Sequence, residues 1–106
     1  MITLEQFRQM ELKVATITQA QEHPNADRLL LLTVEVGGAS KQIVAGIRGH
    51  YQPSELIGRS VVVVDNMEPA VIRGVESQGM LLVAQGSERF SLIVPERPVP
   101  SGSVVR

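Results

Sequence analysis

Residues 12 to 18, Leu-Lys-Val-Ala-Thr-Ile-Thr, place Leu12, Val14 and Thr16 on one side and Lys13, Ala15 and Ile17 on the other. A period of two predicts a β-strand. It stops in His23-Pro24-Asn25-Ala26-Asp27, a segment rich in turn formers. Leu29 to Val36 predicts a second strand, broken by Gly37-Gly38 as in a hairpin, and Lys41 to Gly46 a third. Pro53 to Gly58 reads as one helical turn ended by its glycine. Ser60 to Asp65 holds four valines and predicts a buried strand. Asn66 to Gly79, with Pro69, Gly74 and Gly79, reads as long and irregular. Met80 to Ala84 follows as a strand, then Phe90 to Val94 as a short one. Ahead of them all, Thr3 suits a helix N-cap with Gln6 as its capping-box partner, opening a short helix with Leu4, Phe7 and Met10 on its apolar side.

The pattern amounts to five main strands with one helical turn between the third and fourth. No connection is long enough for a βαβ crossover. The expected class is all-β: a five-stranded Greek-key barrel of the OB-fold type, with a short N-terminal helix and a C-terminal extension. A mixed sheet under one covering helix is the structural alternative. Closure into a barrel removes the edges that a chain this rich in Val, Leu and Ile would otherwise expose. The 106 residues are expected to form one domain, 1 to 106.

Composition narrows the chemistry. There is no cysteine, so neither a disulfide nor a thiolate metal site can form. No basic leader and no apolar run of about 20 residues is present, so the expectation is a soluble, cytoplasmic protein without membrane contact. Ten Lys and Arg against eleven Asp and Glu give a net charge of −1, which is low for a protein that works by phosphate contacts. Averages conceal clustering, so the count does not exclude a local cationic face.

Four stretches carry a family pattern: Leu12 to Ile17; His23-Pro24-Asn25-Ala26-Asp27-Arg28-Leu29; Gln42-Ile43-Val44-Ala45-Gly46-Ile47; and Arg73-Gly74-Val75-Glu76-Ser77-Gln78-Gly79-Met80-Leu81-Leu82. Together they resemble the tRNA-binding domain family, over roughly residues 3 to 106. In that family the domain occurs as a C-terminal extension of methionyl-tRNA synthetases and as free-standing proteins. The resemblance implies an OB barrel that works as a homodimer through its helical start and C-terminal segment. It implies tRNA as ligand, held with little sequence choice, and an aminoacyl-tRNA synthetase as the partner assisted. Met1 directly before a capped helix favours the free-standing form.

The residues offer matching chemistry, each with a plainer alternative. Arg28 carries a flat fork of donors suited to phosphate oxygens, but Asp27 beside it could absorb the charge. His23, Pro24, Asn25 and Asp27 make a good turn; Asn25 could also reach RNA. Lys41, Arg48, His50 and Arg59 lie at strand ends or in loops, as phosphate contacts or as ordinary surface charge. The resemblance places Arg73, Ser77 and Met80 in the loop that approaches tRNA, with Asn66 just ahead of it. Ser77 could donate to a phosphate or ribose, or cap a turn. Met80 could lie against a base, or start a buried strand. The family often has a basic stretch after the asparagine. Here Glu68, Ala70 and Val71 replace it and only Arg73 is positive. Losing such contacts flattens the salt dependence of binding by roughly 0.7 log units each. Phe7, Tyr51 and Phe90 are the only aromatics, too few for stacking bases along a strand.

No catalytic triad, metal signature or Walker loop is present, so the expectation is a non-enzyme without a cofactor. The competing function is a dimeric, chaperone-like adaptor of the same fold, favoured by 43% hydrophobic residues and the missing basic stretch. Family members of that kind diverge around the His-Pro-Asn-Ala-Asp segment, which is intact here.

Overall fold

The computed structural model describes residues 1–106. In chain order the elements are α1 (Leu4–Arg8), β1 (Leu12–Glu22), β2 (Leu30–Val36), β3 (Ala39–Ala45), α2 (Pro53–Leu56), β4 (Ser60–Val64), β5 (Ala70–Ile72), β6 (Val75–Ser77), β7 (Met80–Leu81), β8 (Val83–Gln85), β9 (Phe90–Leu92) and β10 (Val104–Val105). The main sheet runs β3-β2-β1-β4-β7, antiparallel throughout. Three strands in a meander, a helix, and a fourth strand returning to the first make the all-β OB-type barrel that the sequence predicts.

Local chemistry explains each end. The Thr3 hydroxyl accepts from the Gln6 amide, and the Gln6 side chain accepts from the Thr3 amide. Five residues are too few for an independent helix. Asn66 supplies the anchor: its Oδ1 accepts from the Glu11 amide and its Nδ2 donates to the Gln9 carbonyl. Pro53 sits in the first turn of α2, where its missing N–H costs nothing, and Leu56 is fully buried against the barrel.

β2 alternates as expected, with Leu30, Leu32, Val34 and Val36 inward. β4 does not alternate, because both of its faces are covered. Val61 and Val63 join Ala15, Ile17 and Ile43 in the barrel core. Val62 and Val64 join Leu12 on the outer face, beneath Phe7 of α1 and Val105 of β10. β10 reaches this place by pairing with Leu12 and Lys13. A register shift between Ile17 and Gln19 bends β1, so that one long strand can serve both halves of the barrel.

The barrel closes between β3 and the end of β6 together with the residues after it, largely by side chains. The Gln78 amide donates to the Gln42 carbonyl (2.7 Å), the Gln42 amide to Gln78 Oε1 (2.9 Å), and Gln42 Nε2 to the Glu76 carbonyl (2.8 Å). The Val44 amide donates to Ser77 Oγ (3.0 Å), which itself donates to the Gly79 carbonyl (3.0 Å).

Two segments differ from the sequence expectation. Residues 66–79 are not irregular throughout: β5 and β6 form a hairpin turned by Arg73 (φ 53°) and Gly74 (φ 87°). Positive φ at both central residues is what a tight type I′ turn demands. Arginine there hides the signal that Asn-Gly would have given. The strand expected over Met80 to Ala84 is split at Leu82, whose amide stays with the Val62 carbonyl while β8 leaves to pair with β9.

Candidate nucleic-acid interface

The joining turn after β1 is built around His23, which is 3% exposed. Its Nδ1 lies 3.0 Å from the Asn25 amide, and its Nε2 lies 3.0 Å from the Ile72 carbonyl oxygen. An amide can only donate and a carbonyl can only accept. The ring is therefore neutral, with its proton on Nε2. Asn25 Nδ2 adds a long bond to the Arg73 carbonyl (3.4 Å). The turn is thus stitched to the tip of the β5–β6 hairpin.

Arg48, just past β3, ties in the third component. One guanidinium nitrogen donates to the Ala26 carbonyl (3.0 Å), another pairs with Glu22 (3.0 Å), and the Arg48 amide donates to the Arg28 carbonyl (3.3 Å). Arg28 and Arg73 are exposed and pair with no carboxylate. One rim of the barrel therefore gathers Asn25, Arg28, Arg48 and Arg73 from three separate segments.

The other expected contact residues lie elsewhere. Lys41 sits at the far end of β3, about 13 Å along the strand from Ala45. Its ammonium bonds Asp65 Oδ1 (2.6 Å) and the Asp65 carbonyl (2.7 Å), while Lys13 bonds Asp65 Oδ2 (3.0 Å). Lys13, Lys41 and Asp65 share the inward register of Ala15, Ile43 and Val63, so the triad closes that end of the barrel. Burial pushes the Asp65 carboxyl up, but hydrogen bonds and charge from Lys41 and Lys13 outweigh it and hold the group below its ordinary 3.8. The Lys13 ammonium is raised above its usual value by its hydrogen bond to Asp65 and by that carboxylate's charge. Lys13 and Lys41 are the only lysines of the chain, so both are committed here.

Asn66 is committed to anchoring α1. Ser77 is 4% exposed, with its one proton directed at the Gly79 carbonyl. Met80 does not start a buried run: it is 48% exposed, at the lip of a shallow apolar groove with Val44, Ile47, Leu82 and Phe90. The aromatics brace the fold. Tyr51 accepts from the Leu92 amide, and His50 stacks on Phe90 at 4.2 Å. Where basic residues were expected, Val71 is 72% exposed and stands opposite Glu76 across the hairpin. Sequence reasoning identified His23 as a turn residue but missed that it joins two loops. Its contact with Ile72 spans 49 positions, and no local pattern signals it.

Residues 12–104 match the family model described as "Putative tRNA binding domain". Methionine--tRNA ligase of Methanococcus aeolicus is 49% identical over 105 residues, which is 99% of this chain and 16% of the ligase. The chain thus spans about one sixth of that relative and matches its tRNA-binding domain, not its catalytic part. A crystal structure of a MetRS related protein from Pyrococcus horikoshii superposes with a TM-score of 0.92 at 32% identity, covering 100% of this chain and 98% of that one. Chaperone CsaA of Bacillus anthracis superposes with a TM-score of 0.90 at 29% identity, covering 100% and 99%. Signature segments, barrel and matched model converge: the chain belongs to the tRNA-binding domain family.

Proposed function

We propose that the chain is a non-catalytic module that holds folded tRNA by its shape, through the rim formed by Asn25, Arg28, Arg48 and Arg73, and so assists a methionyl-tRNA synthetase in the cytoplasm. The observation that carries this reading is the stitching of the His23 turn to the Arg73 hairpin tip. It ties the backbone of the Arg28 turn to that of the Arg73 hairpin and of Arg48, and neither Arg28 nor Arg73 pairs with a carboxylate. Phosphate contacts of this kind position an RNA without reading its bases, as a shape reader requires. In this reading Lys41, Asn66 and Ser77 hold the scaffold, and Met80 flanks the rim.

Two copies pair through α1 and the C-terminal strand. Leu4 (62% exposed), Met10 and Val104 (60% exposed) surround a cleft lined also by Phe7 and Val105, an apolar surface unusual for a lone subunit. Pairing sets two rims on one particle. Two weak linked sites hold a ligand far more tightly than either alone.

A gel-shift titration with bulk tRNA at low and moderate salt tests the reading. Arg73→Glu is expected to weaken binding about tenfold and to lower the salt slope by roughly 0.7, whereas Lys41→Gln leaves affinity within about twofold. Absence of binding even at low salt refutes it. The apolar groove beside Met80 and the likeness to CsaA favour a second reading, a dimeric adaptor that binds polypeptide. Capture of an unfolded model polypeptide without tRNA binding selects that one.

A further inference from the structure

We infer that His23 is a positioning residue that makes the RNA-binding rim sensitive to acid, assembling it while the ring is neutral and releasing it when the ring is protonated. The inference rests on the tRNA reading above and extends it to regulation.

His23 spends both ring nitrogens on different segments. Nδ1 accepts from the Asn25 amide, and Nε2–H donates to the Ile72 carbonyl. A second proton can go only to Nδ1. There it meets the Asn25 N–H, donor against donor, inside a site that water barely reaches. The turn must then move away, taking Asn25 and its bond to the Arg73 carbonyl with it. Arg28 leaves with the turn while Arg73 stays on the hairpin, so the rim loses its geometry.

The ionisable groups around the ring are few. Glu22 is its chain neighbour and is paired with Arg48; Asp27 and Arg28 lie in the same turn; Arg73 and Glu76 lie on the hairpin. None of them bonds to the ring, so no carboxylate stands ready to hold an imidazolium in place.

The sign of the effect separates this mechanism from bulk charge. Acidification makes any protein more positive, which by itself tightens RNA binding. Loss of the clamp weakens it. The assay is tRNA affinity from about pH 8 to about pH 5.5, the span in which an imidazole gains its proton, at constant ionic strength. The wild type is expected to weaken toward acid, by up to about tenfold per pH unit, the limit for uptake of one proton. His23→Asn keeps an acceptor for the Asn25 amide, and His23→Gln keeps a donor with reach toward Ile72. Neither titrates in this range, so both should give flat or slightly tightening profiles. His50→Gln should keep the wild-type profile. Wild-type affinity that holds or tightens on acidification overturns the inference, as does the same acid weakening in both His23 variants.

Nitrogen NMR of the imidazole and the Asn25 amide supplies an arm that needs no RNA. A neutral ring with its proton on Nε2, whose titration moves the amides of Asn25, Arg73 and Gly74 together, supports the clamp. Titration confined to the ring overturns it. Should tRNA fail to bind at any pH, the proposed function falls, and this arm still decides the clamp.

Discussion

Ser77→Ala distinguishes a residue that touches RNA from one that closes the barrel. Its hydroxyl joins β3 to the end of β6 and the residues after it, accepting from the Val44 amide and donating to the Gly79 carbonyl, both at 3.0 Å. Alanine removes the bond to the Gly79 carbonyl, worth about 1 kcal/mol net. It also leaves the Val44 N–H at a covered seam with no partner, a penalty of about 1–3 kcal/mol in full burial. Since Val44 is half-buried, the lower part of that range applies and the expected loss is about 2–3 kcal/mol. For a domain this small the melting point falls by roughly 10–20 °C. Urea denaturation followed by circular dichroism reads the change as a lower midpoint at unchanged slope. In the cold, where the variant stays folded, its tRNA affinity should match the wild type within about twofold, because Oγ has no spare proton for a phosphate. Stability reduced by less than about 0.5 kcal/mol, or affinity lost with stability intact, refutes the argument.

Asp65→Asn should destabilise the barrel end at neutral pH by leaving Lys13 and Lys41 facing one another. Because the folded carboxyl titrates below 3.8, its contribution is present above that value and is lost as pH falls through the lowered one. Denaturation curves of the two proteins should therefore converge in acid; a gap that persists there contradicts the pairing. Gly102→Ala places a Cβ 2.8 Å from the Gly37 Cα at a residue whose φ is +90°, so a loss of about 2–3 kcal/mol is expected, with faster amide exchange at Val14 and Val105. An unchanged melting point refutes that. Val104→Asp should give a monomer by light scattering with its fold intact and its tRNA affinity reduced; a persistent dimer moves the pairing surface elsewhere.

The sequence by itself determined the capped helix and the strands of the main meander, because each depends on neighbours a few positions apart, but not the β5–β6 hairpin or the break at Leu82. Alternation in Leu30 to Val36 places its apolar face inward whatever the rest of the chain does, and Thr3 with Gln6 closes a capping box within one turn. Asn25, Arg28 and Arg48 were legible as candidates by residue type and Arg73 through the family resemblance; that bonds between their segments hold them near one another was not legible. Local pattern could not decide which cations stay free. Lys41 finds Asp65 across 24 positions, the Val44 amide finds Ser77 across 33, and His23 finds Ile72 across 49. An ammonium or a hydroxyl is a binding group only until the fold supplies it with a nearer partner, and only barrel closure decides which partners are near.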